Sequence, residues 1–161
     1  MFGRLPRFVR ILPTLMFLPF AAVAADLSDQ PGWAVHATDK PYADLILDLS
    51  AAVKANGLIV VTQAGPTKAA AARGITIPGN RVIGVFNNDY AVRVLNLSTA
   101  AMIEAPIRFY VTEEPDGSAT LSYKTPSFVF APYVQTGGTA LQEIADELTH
   151  RFDEIAEIAI R

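Results

Sequence analysis

The chain contains no cysteine among its 161 residues. Disulfides, thiolate metal sites and cysteine nucleophiles are therefore excluded, and the fold must depend on its apolar core. Histidine is scarce as well, since only His36 and His150 are present and neither has the spacing of a zinc ligand set. We expect no metal and no cofactor. No Gly-x-Ser-x-Gly motif occurs and no pattern predicts paired carboxylates in a cleft, so we expect no enzyme.

The first 25 residues have the composition of an export signal. Three arginines and no acidic residue lie within the first ten positions, and an uncharged run from 11 to 25 ends in small residues. This run is too short for a membrane-spanning helix, and two prolines interrupt it. Residues 1–24 are therefore predicted to be a cleaved signal peptide, with cleavage after Ala24 or Ala25, and the protein to be periplasmic or secreted.

The remaining chain, residues 25–161, is acidic and has the length of a single domain. The leader holds three of the 13 basic residues and none of the 16 acidic ones, so 10 basic residues remain against 16 acidic, a net charge of −6. Nucleic acids and anionic membrane surfaces attract basic proteins. Neither nucleic acid nor, after cleavage of the leader, a membrane is an expected partner.

Apolar periodicity predicts an α+β domain with elements in β-α-β-β-α-β-β-α order. A capping side chain followed by Pro41 starts the first helix, and Asn56-Gly57 ends it. A small, mostly antiparallel sheet of about five strands, with helices packed on one face, accommodates this order. The predicted strands are 33–38, 58–61, 81–86, 107–112 and 119–124, and the later helices are 68–73, 87 to about 102, and 139–160.

The clearest local pattern is a hairpin around the acidic turn 113–117. Both of its strands alternate between apolar and polar residues, which assigns one face of each strand to the core. The residues predicted to face inward are Ile107, Phe109 and Val111, and then Ala119, Leu121 and Tyr123. Residues 126–132, which follow, are predicted to be an aromatic and proline-rich connection.

The turn Asn87-Asn88-Asp89 is one candidate binding site. It ends a strand and begins a helix, where converging backbone N–H groups can hold an anion or a polar ligand. The alternative is that Asn88 or Asp89 simply caps the helix.

Aromatic residues form a second candidate. Phe128, Phe130 and Tyr133, together with Tyr123 and Trp33, are able to line an apolar pocket with a few polar groups. They are equally able to form core, or a surface that pairs two copies of the domain.

Residues 69–133 contain, in order, Gly74, the strand and turn Val82–Asp89, Ala105-Pro106-Ile107, Asp116-Gly117, and Ser122–Pro126. These short motifs and their order resemble domain-of-unknown-function family 302. The chain departs from the family pattern at the turn, where Asn88-Asp89 replaces steps that contain glycine and proline. The resemblance implies a compact α+β fold, often dimeric, and no established reaction or ligand.

Two functions fit these observations. The first is non-enzymatic binding of a small, partly apolar ligand, with Asn87, Asn88, Asp89 and Tyr123 as the ligand-binding residues. The alternative is a homodimeric interaction or assembly module without a small ligand. A hydrolase comes third, because no nucleophile and base are visible together.

Overall fold

A computed structural model gives the fold of residues 30–161. The predicted leader and its cleavage site lie outside these residues. The strands are β1 (Trp33–Pro41), β2 (Ile59–Ala64), β3 (Asn80–Phe86), β4 (Ile107–Glu113) and β5 (Ser118–Lys124). The α-helices are α1 (Tyr42–Ala55), α2 (Thr67–Ala71), α3 (Asn88–Leu97), α4 (Pro126–Phe130) and α5 (Val134–Ile160), with short 3₁₀ helices at Ala101–Glu104 and Ala131–Tyr133.

The five strands form one antiparallel sheet in the order β1-β5-β4-β3-β2. The hairpin β4–β5 therefore lies inside the sheet, and β1 and β2 form its two edges. The predicted α+β class and its five-stranded sheet are confirmed, as is the element order apart from the short additional helices.

The apolar core lies between this sheet and the long helices α1 and α5. Phe109 of β4 is fully buried, and its ring stacks on that of Phe152 of α5 with 4.3 Å between the ring centroids. Leu45 and Leu49 of α1 are fully buried in the same cluster. Every residue predicted to face inward from the hairpin is buried, so that prediction is confirmed.

Helix α3 is shorter than the predicted 87–102. It ends at Leu97, and Ser98 adopts an extended conformation with φ −157° and ψ 108°. The hydroxyl of Ser98 accepts a hydrogen bond from the backbone N–H of Ala101. A serine hydroxyl can thus replace a helical backbone acceptor and end the helix. The apolar periodicity of the sequence continues to Met102 and does not indicate this helix end.

The predicted connection 126–132 is also wrong in part, because it forms the helical turns of α4 and a 3₁₀ helix. Thr125 caps α4 by accepting a hydrogen bond from Phe128 N–H, and Pro126 occupies the first turn.

The last helix is predicted from Thr139. Helical residues precede that point, and Gly138 interrupts them with φ 69° and ψ −169°, so the regular helix does begin after the glycine.

The start of α1 also differs from expectation. No side chain caps the helix, and β1 continues up to Pro41. The hydroxyl of Thr38 instead donates to the carbonyl of Ala119 in β5 and accepts from the N–H of Lys40.

Within residues 30–161 no helix is both long enough and apolar enough to cross a membrane.

Candidate functional site

The face of the sheet opposite α1 and α5 carries rows of side chains that run across the strands. Trp33 of β1 pairs with Lys124 of β5, and Arg108 of β4 pairs with Gly84 of β3. Lys124 and Arg108 face each other one residue beyond the pair Phe109–Tyr123. Since side chains alternate between faces, this row places an indole ring and two cations side by side on the open face.

The next row on the open face is more apolar. Its paired residues are Val35 with Ser122, Ser122 with Tyr110, and Tyr110 with Val82. Ser122 is fully buried beneath its larger neighbours. This row therefore consists of two valines and a tyrosine around a covered serine.

A groove of about 500 Å³ follows these two rows. We call it the sheet groove. Glu104 and Val129 also line it, and its volume lies in the range of small-molecule sites, which are about 300–1,000 Å³. The strand residues that line it with their side chains are Trp33, Lys124, Arg108, Tyr110, Val82 and Asn80.

The charges in the sheet groove are two cations and one carboxylate. Lys124 Nζ lies 5.9 Å from the centre of the Trp33 ring, an arrangement that permits a cation–π interaction. Glu104 Oε1 accepts a 2.6 Å hydrogen bond from the hydroxyl of Tyr133, which raises the pKa of that tyrosine. The carboxylate is thus engaged by a neighbouring side chain.

A glycine supports the edge of the groove beside Trp33. Gly32 has φ +74°, and a Cβ at this position would overlap the ring of Phe128. The carbonyl of Gly32 accepts a hydrogen bond from Thr125 N–H. The absence of a side chain at position 32 thus lets the α4 segment pack directly against the start of β1.

Asn87, the first of the predicted site residues, caps α3. Its Oδ1 accepts hydrogen bonds from the N–H groups of Asp89 at 2.9 Å and Tyr90 at 3.1 Å, and its Nδ2 donates to the carbonyl of Gly57. The expectation that Asn88 or Asp89 is the cap is wrong, because Asn87 is the residue with the extended conformation of an N-cap. Asn88 and Asp89 are exposed in the first turn of α3.

Asn87 also borders a second, much smaller cavity of about 40 Å³. This cavity lies between α3, α5 and the end of the sheet, and Tyr90, Val94, Phe130 and Phe152 are among its lining residues. A volume of this size has room for one or two water molecules, so the cavity is too small for an organic ligand.

Tyr123, the fourth predicted site residue, borders the sheet groove, although its ring points into the core. The side chain is 1 % exposed, and its hydroxyl donates a 2.6 Å hydrogen bond to Asp153 Oδ1. Burial, and then this bond, raise the pKa of Tyr123 far above its ordinary value of 10. Tyr123 and Asn87 therefore line different cavities.

The two histidines lie apart. His150 is exposed on α5, and its Nδ1 lies 3.5 Å from Glu154 Oε1. His36 is on the core face of β1, where the residue is partly buried, its ring stacks on that of Tyr123 and its Nε2 atom is buried. Among residues 30–161, no group of three or more histidine or acidic side chains is placed to hold a metal ion.

The aromatic residues that the sequence groups together have different environments. Phe130 and Tyr123 are buried in the core, Phe128 is exposed, and Trp33 lines the sheet groove. Sequence reasoning missed Arg108, Tyr110 and Lys124 as groove residues. The available signal was their alternation with the inward-facing residues of the hairpin, which puts them on the face opposite the core.

The fold and the groove define a class of protein: a small α+β domain with helices packed on one face of its sheet and a groove on the other. Residues 33–159 match the family model described as domain of unknown function DUF302, and the chain belongs to that family. The crystal structure of an uncharacterized conserved protein DUF302 from Bacillus stearothermophilus has a similar fold. The two chains are 20 % identical, with a TM-score of 0.71 over 82 % of this chain and 100 % of the other. No curated protein matches the chain.

Proposed function

We propose that this domain binds a small, partly apolar organic molecule in the sheet groove, without transforming it, after export from the cytoplasm. The observation that carries the proposal is a groove of about 500 Å³, with an indole and a phenol ring, on the sheet face opposite α1 and α5. Rings and aliphatic side chains beside a few polar groups are the usual construction of a ligand site.

Binding is favoured over catalysis by the polar groups that the groove offers. Its carboxylate, Glu104, is already hydrogen-bonded to Tyr133. Among the described residues that line the groove there is neither a histidine nor a serine to act as a base or a nucleophile. The leader supports a site of action outside the cytoplasm.

Native mass spectrometry of the protein recovered from its exported compartment tests the proposal as a whole. We expect a polypeptide that begins at residue 25 or 26, with a bound molecule of constant mass. An intact Met1 would contradict the export proposal. A monomer that is free of ligand in every preparation would contradict the binding proposal.

The tryptophan in the groove allows a direct binding measurement. Trp33 is the single tryptophan of the chain, so its fluorescence reports on the groove alone. We expect the neutral probe 4-phenylbutan-1-ol to change this fluorescence in a saturable manner. Val82→Phe fills the apolar row of the groove and should weaken probe binding about tenfold or more, equivalent to about 1.4 kcal/mol or more.

Val92→Phe is the matched control, because Val92 is exposed on α3 and does not line the groove. This variant should bind the probe as the unmodified protein does. Circular dichroism and melting temperature establish that both variants are folded. If a folded Val82→Phe protein binds the probe with unchanged affinity, the sheet groove is not the binding site.

An assembly role is the second candidate, and the free edge of the sheet favours it. Strand β2 has no charged residue, and Ile59 and Val61 are 58 % and 45 % exposed. Edge strands of this kind pair readily with another strand, because their backbone N–H and C=O groups are free. A second copy that adds its own β2 would extend the sheet, and a ligand-free dimer in the native mass spectrum would support this role.

A further inference from the structure

Two positive charges occupy facing positions in the sheet groove. Arg108 and Lys124 lie one residue beyond the pair Phe109–Tyr123 of the antiparallel ladder, with both side chains on the open face. Like charges at facing positions destabilise a strand pair. Among residues 30–161, neither cation takes part in any of the four ion pairs. Glu104, the carboxylate that lines the same groove, is hydrogen-bonded to Tyr133, so the described part of the protein brings two cations together without a salt bridge to either.

The apolar part of the groove begins directly beside these cations. Trp33 adjoins Lys124 at one end of the same row, and Tyr110 and Val82 form the adjacent row. A molecule that places an anionic group at Arg108 and Lys124 would therefore extend its body over the apolar row. Charge-assisted hydrogen bonds from arginine and lysine to a carboxylate are among the stronger polar interactions available to such a site.

We infer that the sheet groove selects a small organic anion with an apolar body, such as an aryl or branched-chain carboxylate. This inference rests on the proposed function and specifies its ligand class. The anionic end lies between Arg108 and Lys124, and the apolar body lies against Trp33, Tyr110 and Val82. The ligand thereby supplies the negative charge that the row of cations lacks.

The net charge of the whole domain has the opposite sign to the two groove cations. Residues 25–161 carry a net charge of −6, so they repel anions at long range. Selection must then come from short-range contacts in the groove. A second copy of the chain fits the groove less well, because a two-fold axis through it would bring two Arg108–Lys124 pairs together.

Three probes with the same phenylbutyl body but different charge test the inference. They are 4-phenylbutyrate, 4-phenylbutan-1-ol and 4-phenylbutylammonium, each titrated against Trp33 fluorescence at low salt. We expect the carboxylate to bind about tenfold more tightly than the alcohol, the effect of about one charge-assisted hydrogen bond. The ammonium should bind most weakly, and added salt should reduce the preference for the carboxylate.

The double variant Arg108→Gln, Lys124→Gln should bind the carboxylate no more tightly than the alcohol. Its matched control is Lys68→Gln, Arg73→Gln, which removes two positive charges from exposed positions on and just after α2. The control should keep the full preference for the carboxylate. Both variants remove charges from exposed side chains, and their urea midpoints verify that they are folded.

The outcomes separate this inference from the proposed function. If the alcohol binds as tightly as the carboxylate in the unmodified protein, the anion preference is wrong while the groove remains a binding site. If the preference persists in the folded Arg108→Gln, Lys124→Gln protein, these cations do not select the ligand. If no probe produces a signal that Val82→Phe abolishes, the proposed function itself fails.

Discussion

Replacement of Phe109 with alanine is expected to lower the free energy of unfolding by about 4 kcal/mol, in the range for large-to-small changes at a buried phenylalanine. Phe109 is fully buried at the centre of the sheet. Its ring stacks on Phe152 and meets the edge of Tyr123 at 5.2 Å between centroids. Removing it leaves a cavity where the hairpin contacts α5, so both layers lose contacts. Urea unfolding followed by circular dichroism measures the change.

Phe128→Ala is the matched control for this substitution. Phe128 is 44 % exposed, so loss of its ring should cost less than about 1 kcal/mol. A loss in Phe109→Ala as small as that in Phe128→Ala would show that the helices do not depend on the ring for their packing. Because Phe128 lies beside Gly32 at the edge of the sheet groove, binding of the phenylbutyl probes to Phe128→Ala should also be measured.

The second large effect concerns stability at high pH. Burial and the hydrogen bond to Asp153 hold the pKa of Tyr123 above its ordinary value of 10, so the native state retains this proton after the unfolded state has lost it. The stabilisation is therefore complete below pH 10 and is lost as the pH rises toward the native pKa. Above pH 10, the free energy of unfolding is expected to fall by about 1.4 kcal/mol per pH unit because of Tyr123.

Tyr123→Phe should remove that contribution to the slope between pH 10 and 12. Tyr90→Phe also removes one phenol and is the matched control, which should keep the steep loss caused by Tyr123. Urea midpoints measured across this pH range provide the comparison. Equal slopes for Tyr123→Phe and the unmodified protein would mean that the Tyr123 hydroxyl does not hold its proton in the native state.

The hairpin faces could be predicted from sequence because alternation is a local signal. Ile107, Phe109 and Val111 follow one another at the period of a strand, and no other element is needed to assign their face. The end of α3 could not be predicted in the same way. There the hydroxyl of Ser98 competes for Ala101 N–H, while the apolar pattern continues past it.

The groove was beyond sequence reasoning for a different reason. Trp33, Lys124 and Arg108 share one row only because β1 pairs with β5 and β5 with β4. Strand order of this kind depends on the whole chain, and local periodicity does not contain it. The chemistry of the Asn87–Asp89 turn is local, and the sequence does predict a helix cap there, although the structure assigns the cap to Asn87 rather than to Asn88 or Asp89.

The pairing of the first strand with the last has a consequence for how the molecule assembles. Thr38 of β1 hydrogen-bonds to Ala119 of β5, 81 residues further along the chain. Contacts over such a separation form slowly, because closing a long loop of chain costs conformational entropy. Strand β1 can therefore pair with β5 only after the ribosome has synthesised β5. The edge of the groove that carries Trp33 forms only when nearly the whole domain is available to fold.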